Sequence, residues 1–268
     1  MSETITALAF VLAVGAAAYS TWSPCGQSML SQLNPLAERT RGQRYAVTAI
    51  WFVIGALAGG ATLGIAMVAL ALAVDAIGIS AAAAAGIAAV CALIGAASDA
   101  RLLSFAPPFH RRQVNEDWLP RYRGWFYGVG FGWQIGTGLA TYIMTTAVFV
   151  MIAFGALSAS PVVAFAVGIT FAFLRGIVVF ATARRTTFES LAALHRRFHA
   201  LGPVVQRAVM LLQALVAVVA AYVAWEWWGV LAVGVAITAH AAGRVRITSR
   251  PPAAEEASRT SPPSAITS

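Results

Sequence analysis

The stretch AVTAIWFVIGALAGGATLGIAMVALALAV, residues 46–74, contains no charged side chain and sets the class of the protein. A bilayer core of ~30 Å is crossed by roughly 20 apolar helical residues, so a run of this length can span it. Further apolar runs occupy residues 5–22, 80–98, 125–155, 162–182, 206–224 and 228–242. The pattern predicts an all-α polytopic membrane protein with about seven transmembrane helices.

The composition agrees with lipid as the surrounding solvent. Of the 268 residues, 59% are hydrophobic and only 10% are charged. Soluble domains carry about 25% charged residues. The net charge of +8 would also suit a nucleic-acid-binding protein, but that class gathers its basic residues on one exposed face. Here they alternate with long apolar runs, which predicts a lipid bilayer and no nucleic acid as the partner.

The placement of the arginines predicts the orientation. Every second connection between apolar runs is basic, and the tail is basic too: Arg39, Arg41 and Arg44; Arg101, Arg111, Arg112, Arg121 and Arg123; Arg184, Arg185, Arg196, Arg197 and Arg207; Arg244, Arg246, Arg250 and Arg259. The intervening connections carry only Glu3, Asp75 and Glu226. Basic loops stay in the cytoplasm, so we expect the amino terminus outside and the carboxyl terminus inside. The alternative of six helices, with the last two runs fused, would leave the basic tail outside.

Domain organisation follows from the same pattern. Residues 1–248 form one transmembrane helical domain, and the Pro-, Ser- and Thr-rich tail 249–268 is predicted to be disordered in the cytoplasm. All 18 basic residues are arginine, which is typical of a GC-rich bacterial genome. The expected location is therefore the plasma membrane of a bacterium.

Ser23-Pro24-Cys25 follows the first apolar run and predicts a break in that helix. Proline lacks an N–H and clashes with the preceding turn, so a helix ends there. Inside a membrane, the backbone groups that a break exposes require protein or water partners, and breaks therefore favour functional cavities. Cys25 at this break is a candidate redox thiol.

Two motifs carry a resemblance to a known family. Ser23-Pro24-Cys25 resembles the first Ser/Thr-Pro-Cys motif of the CcdA/DsbD-like family of cytochrome c biogenesis and thiol–disulfide interchange proteins. Gly128-Val129-Gly130-Phe131-Gly132-Trp133 resembles the lead into the family's second motif. The similarity covers about residues 8–185. It implies transfer of reducing equivalents between a cysteine pair and thioredoxin-like partners.

The second motif departs from that family. Gln134-Ile135-Gly136 stands where its Thr-Pro-Cys is expected, so the partner thiol is missing. Thiol exchange needs a second thiol to resolve the mixed disulfide. Cys91, within a regular apolar run, is one candidate replacement, and a thiol on a partner protein is the other. The two motif regions also suggest a 3+3 inverted repeat with broken first and fourth helices, an arrangement seen in transporters.

Polar residues inside the apolar runs predict a central cavity. Arg175 is the only arginine within such a run, and an ionised group there requires a partner or a wet cavity. Gln134 and Gln213 are expected at depths in the membrane comparable to that of Arg175. We therefore expect Arg175, Gln134 and Gln213 to line one cavity beside Pro24 and Gly136. The alternative is that Arg175 snorkels to the interface.

Other patterns have structural interpretations. Gly59, Gly60 and Gly64 favour close helix packing. Thr186-Thr187-Phe188-Glu189 is typical of a capping box, and it begins an amphipathic surface helix that is expected to stop at Gly202-Pro203. His195 and His199 have the spacing of a metal-binding pair without a third ligand, so no metal and no cofactor is expected.

Three functions stay open from the sequence. The first is transmembrane thiol–disulfide transfer or cytochrome c biogenesis. The second is transport or export of a small solute through the central polar cavity. The third is a non-catalytic role as an assembly partner of another membrane complex.

Overall fold

The computed structural model of the chain describes residues 2–103 and 117–248. Its helices are α1 (Ser2–Ser20), α2 (Pro24–Gln32), α3 (Pro35–Thr40), α4 (Tyr45–Ile77), α5 (Ala81–Asp99), α6 (Trp118–Arg121), α7 (Gly124–Thr137), α8 (Ala147–Leu157), α9 (Pro161–Ile177) and α10 (Phe188–Thr248), with a 3-10 helix at Val178–Thr182. These ranges contain no strand, and the all-α prediction is confirmed. The tail 249–268 lies outside the described residues.

Within the described residues, five helices are long and apolar enough to cross a membrane: Glu3–Ser20, Tyr45–Ile77, Ala81–Asp99, Pro161–Thr182 and Phe188–Gly229. Ala147–Leu157 is apolar but shorter. Large apolar side chains such as Ile65, Val162 and Leu211 are exposed on the outer surface. Such a surface is compatible with a lipid environment. The exact number of spans and their orientation stay predictions.

Helix α4 forms the centre of the bundle. It packs against α7 along one side and against α9 along another. Helix α1 packs against α8, α9 and α10, and α5 packs against α8 and α10. The core between these helices is built largely from alanine, so that the helix backbones lie close to one another.

Glycines bring α4 and α7 into backbone contact. In α7 they recur every fourth residue, at Gly124, Gly128, Gly132 and Gly136, and therefore share one face of the helix. A Cβ atom built on Gly132 would overlap the carbonyl oxygen of Phe52, and one on Gly136 would overlap that of Ala56. On the facing surface of α4, Cβ atoms on Gly55 and Gly59 would overlap carbonyl oxygens of α7. Small residues allow this close approach between apolar helices.

The predicted fourth span, 125–155, is two helices and not one. Helix α7 ends at Thr137, the chain runs without helix to Thr146, and α8 begins at Ala147. At 1.5 Å per residue each helix falls short of a ~30 Å core. The break therefore lies after Gln134-Ile135-Gly136, which are still helical. Gly138, with a φ of 71°, supplies the left-handed backbone at the end of α7.

The first apolar run also breaks. Helix α1 ends at Ser20, and α2 begins at Pro24, whose missing N–H costs nothing at a first helical position. The Ser23 hydroxyl accepts a hydrogen bond from the backbone N–H of Gly26 at 3.1 Å and so caps α2. The proline at this place thus starts a new helix as well as ending the old one.

The surface helix at 188–201 does not stop where its sequence predicted. Helix α10 begins at Phe188, and the caps pair Thr187 with Ser190, not Thr186 with Glu189. The helix then continues through Pro203 into the apolar run. An internal proline is tolerated in apolar helices where neighbours satisfy the freed backbone groups. In the turn before this proline, the Trp22 indole N–H donates to the carbonyl of Phe198 at 2.6 Å, and the two rings stack.

The last two apolar runs are separated by a sharp reversal. Trp225 and Glu226 have non-helical backbone angles, with φ values of −136° and 53°. A Cβ on Gly229 would overlap the carbonyl oxygen of Ala221, although residues eight apart in a straight helix are about 12 Å apart. The chain after Glu226 therefore folds back beside the end of the preceding helix.

The glycine contact predicts a measurable loss of stability. In Gly132→Ala, the added methyl group forces α4 and α7 apart, which we expect to cost about 1–3 kcal/mol of unfolding free energy. Thermal denaturation of the detergent-purified protein measures it. Gly234→Ala is the matched control because a Cβ there meets open space, and it reports the effect of helix propensity alone. Equal stability of the two variants would contradict the packing argument.

The reversal at Trp225 predicts the sidedness of the carboxyl terminus. We expect alkaline phosphatase fused after Trp228 to be active outside, and green fluorescent protein fused after Thr248 to fluoresce in the cytoplasm. The reason is that the last run then crosses the membrane and returns the basic tail to the inside. If alkaline phosphatase fused after Thr248 were also active, the six-helix alternative would be supported instead.

Candidate functional site

Arg175, on α9, lies where the two helix breaks meet. Its side chain is buried, with 3% of the residue exposed. The guanidinium donates to the carbonyl of Ile135 in α7 at 2.5 Å and to the carbonyl of Ser20, the last residue of α1, at 3.5 Å. It also lies 5.5 Å from the centre of the Phe171 ring. One side chain thus binds the ends of two broken helices.

The charge of Arg175 is matched to those helix ends. The carboxyl end of a helix carries a partial negative charge, because its last carbonyls point outward along the axis. Both carbonyls also accept a turn hydrogen bond: the Ser20 carbonyl accepts from the Ser23 N–H, and the Ile135 carbonyl accepts from the Gly138 N–H. A cation placed at two such ends is stabilised by both, and this offsets part of its desolvation cost.

Cys25 lies beside this arginine. The residue is 1% exposed, in the first turn of α2, and its side chain interacts electrostatically with Arg175. Pro24 sets the start of that helix, and Gly26 allows α2 to approach the backbone of Thr21 closely. The structure therefore brings together Arg175, Cys25, Pro24 and the backbone next to Gly136.

The other sequence candidates lie elsewhere. The Gln134 amide donates to the carbonyl of Gly130 within its own helix, at 3.3 Å. Gln213 is fully buried on α10, but it faces Asp99 on α5. Cys91 is half-buried on α5, in an apolar groove with Trp225. Arg175, Gln134 and Gln213, which were expected to line one cavity, thus lie in three separate places.

A second polar centre surrounds Asp99 at the end of α5. One carboxylate oxygen accepts from the Thr146 N–H at 2.9 Å, and the other accepts from the Thr145 hydroxyl at 2.5 Å and the Gln213 amide at 2.8 Å. Thr146 precedes the first residue of α8, so Asp99 caps that helix from another one. An anion at a helix amino end is the electrostatic counterpart of Arg175 at the carboxyl ends.

A third centre, around Glu38, was missed by the sequence analysis. Its carboxylate is fully buried and accepts from Tyr127 and Thr48, at 2.7 Å and 2.6 Å, and from Arg41 at 3.0 Å. It fixes α3 against the start of α4 and α7. The only local signal was a single acidic residue three positions before Arg41 in a basic connection, and that spacing gives no indication of burial.

The three centres share one chemical character. Their charged groups bind helix ends, backbone groups and neighbouring side chains that the fold itself supplies. Within 2–103 and 117–248 no group of three or more His, Cys, Asp or Glu side chains has metal-binding geometry. Ser31 lies 3.0 Å from the His195 ring, and no contact links that ring to His199 among the described hydrogen bonds. The arrangement holds non-helical segments in fixed positions inside an apolar bundle.

The fold and its polar centres define a helical bundle with apolar outer surfaces and two internally capped helix breaks. Compared with known proteins, the chain is similar to the methylamine utilization protein MauF of several bacteria. It is 33% identical over 147 residues to that of Methylorubrum extorquens, covering 53% of this chain and 50% of the relative. It is 32% identical over 161 residues to that of Paracoccus versutus, covering 55% and 56%.

The chain is also 32% identical over 161 residues to MauF of Methylophilus methylotrophus, and the match covers 55% of this chain and 52% of the relative. The chain spans about half the length of the curated relatives it matches. No family model matches it. No solved structure matches either.

These relatives correct the resemblance drawn from the motifs. They are MauF proteins and not members of the cytochrome c biogenesis and thiol–disulfide interchange family, so that prediction was wrong. The structure supplies the physical reason. Gly128 and Gly132 are required by the contact with α4, and Ser23-Pro24 caps a helix. Both patterns arise from helix packing and capping, and neither requires thiol chemistry. Nothing supports thioredoxin-like partners.

The position of Arg175 predicts that its loss loosens both breaks together. We expect Arg175→Ala to lower the unfolding free energy by about 2–4 kcal/mol, because charge-assisted hydrogen bonds are lost and a cavity remains. Arg175→Lys should recover part of this, since an ammonium lacks the guanidinium fork. Hydrogen exchange should quicken around residues 20–24 and 135–139 alike. Arg207 is exposed, and Arg207→Ala is the control. An unchanged exchange rate at either break would contradict the prediction that Arg175 holds both breaks in place.

Proposed function

We propose that the chain is a membrane-embedded accessory protein of methylamine utilization in a bacterium, and that it acts without catalysis, as an assembly partner of another protein. One observation carries this proposal: the similarity to MauF proteins over more than half of the chain. The name of those relatives gives the process. The lipid bilayer of the plasma membrane is the expected environment, since five helices have the length and apolarity to cross it.

The geometry supports a scaffold better than a catalyst. Arg175, Asp99 and Glu38 each hold a helix end or a connecting segment through several hydrogen bonds. A buried polar network whose members satisfy one another stabilises a unique arrangement of the elements around it. A rigid bundle of this kind is suited to holding a partner in the membrane.

A second candidate function is transport of a small solute. It is favoured by the meeting of two helix breaks at a buried charge, and by the buried Thr141 hydroxyl in the second break, which has no hydrogen-bond partner within the described residues. Broken helices that meet inside the membrane form the binding sites of many transporters. However, methylamine is a cation at neutral pH, and Arg175 would repel it. A transported solute at this place would be an anion.

Deletion of the gene in its native host tests the proposal. We expect the deletion strain to lose growth when methylamine is the only nitrogen source, and to grow normally on ammonium. Uptake of radiolabelled methylamine should stay at the wild-type rate, because an assembly partner acts after entry of the substrate. A copy of the gene returned on a plasmid should restore growth.

Each other outcome has a definite meaning. Normal growth of the deletion strain on methylamine would overturn the role in methylamine utilization. Loss of growth together with loss of uptake would favour the transport function over the assembly function. The Arg207→Ala and Arg175→Ala genes, expressed at equal level in the deletion strain, then show whether the capped breaks are needed for either.

A further inference from the structure

A groove of about 410 Å³ opens between α3 and the beginning of α10. Its apolar walls include Leu36, Phe188 and Leu191, and its polar rim includes Arg39, Thr40 and Thr186. Phe188 is 80% exposed, so its ring offers apolar area at the groove that another molecule can cover. The groove is therefore amphipathic, with a cation at its edge.

The groove lies at the level where the apolar helices end. Arg39 stands six residues before Tyr45, the first residue of a membrane-length helix, and Thr186 stands four residues after Thr182, the last residue of another. Both walls thus come from segments that leave the apolar bundle at the same end. In a bilayer this is the depth at which acyl chains give way to headgroups.

The groove is surrounded by positive charge, and some of its arginine N–H groups have no acceptor within residues 2–103 and 117–248. Arg39 is exposed, and no hydrogen bond of its guanidinium is found in the described part of the chain. Arg185, one residue before Thr186, has a buried Nε atom with no hydrogen-bond partner among the described residues. Arg184 beside it is exposed; the nearby acidic groups are Glu189, which is exposed, and Glu38, whose buried carboxylate is paired with Arg41. A donor without an acceptor is costly, so an anionic group that comes within reach of the Arg185 guanidinium, next to the groove residue Thr186, would be stabilised by it.

From these observations we infer that the groove is a binding site for an anionic phospholipid of the surrounding membrane. The phosphate group lies at the arginine rim and accepts hydrogen bonds from Arg39 and Arg185, whose planar guanidinium groups match phosphate oxygens. An acyl chain lies along Leu36, Leu191 and Phe188 and covers the exposed ring. The lipid then ties α3, which Glu38 anchors, to the first turn of α10, and it does so independently of any role in methylamine utilization.

Lipid titration of the delipidated protein by native mass spectrometry tests this site. We expect phosphatidylglycerol to bind more tightly than phosphatidylcholine with the same acyl chains. Arg39→Gln should weaken phosphatidylglycerol about fivefold, as expected for one basic contact to an anionic surface, and Arg39→Gln combined with Arg185→Gln should weaken it about 25-fold. Phe188→Ser should weaken both lipids, because it removes apolar contact. Arg207→Gln, exposed and outside the groove, is the control and should change nothing.

Three results would overturn the inference. Equal binding of the two lipids would exclude recognition of the phosphate charge. Competition by inorganic phosphate at the same concentration as phosphatidylglycerol would exclude a contribution of the apolar walls, and would leave only a general anion site. An effect of Arg207→Gln as large as that of Arg39→Gln would show that overall positive charge, and not this groove, attracts the lipid. Circular dichroism of each variant confirms that it is folded.

Discussion

The contact between α4 and α7 determines where everything else in the bundle lies. Glycines on both helices remove side chains from the middle of the contact, so the two backbones approach until Cβ atoms would overlap the facing carbonyls. At such distances, Cα–H groups and carbonyl oxygens also attract one another weakly, and many small terms add along the helices. Because α7 is held this closely, its carboxyl end is fixed beside α9, which packs on another side of α4. The carbonyl of Ile135 thereby comes within reach of Arg175.

Broken helices inside an apolar bundle are costly unless their ends are satisfied, and this protein satisfies them with charges of the right sign. Arg175 binds the carboxyl ends of α1 and α7, where the helix dipoles are negative. Asp99 binds the amino end of α8, where the dipole is positive. Each charge replaces the water that the helix end would otherwise require. The breaks and the buried charges are therefore a single feature, because each would be unfavourable without the other.

Local patterns in the sequence were sufficient for the helices and insufficient for their partners. The uncharged run 46–74 predicts α4, and Pro24 predicts the break before α2, since both effects act over a few residues. The break at 138–146 begins at Gly138, whose left-handed backbone the sequence pattern does not reveal, and not at the Gln134-Ile135-Gly136 segment that the motif comparison indicates. Gln134 and Gln213 were assigned to one cavity from depth alone. The depth of a residue along a helix does not fix the direction in which its side chain points around the helix axis. Both glutamine side chains contact groups other than Arg175.

The glycine pattern shows why a short motif misidentifies a membrane protein. In a bundle whose driving force is close packing, glycine at every fourth residue is selected by any helix pair that must touch along its backbone. Gly128 and Gly132 meet that requirement here, whereas a redox family requires a thiol nearby. A motif made of residues that packing also selects carries little information about chemistry. Similarity over more than half the chain, as with the MauF relatives, samples many positions at which packing makes no demand and is the stronger guide to kinship.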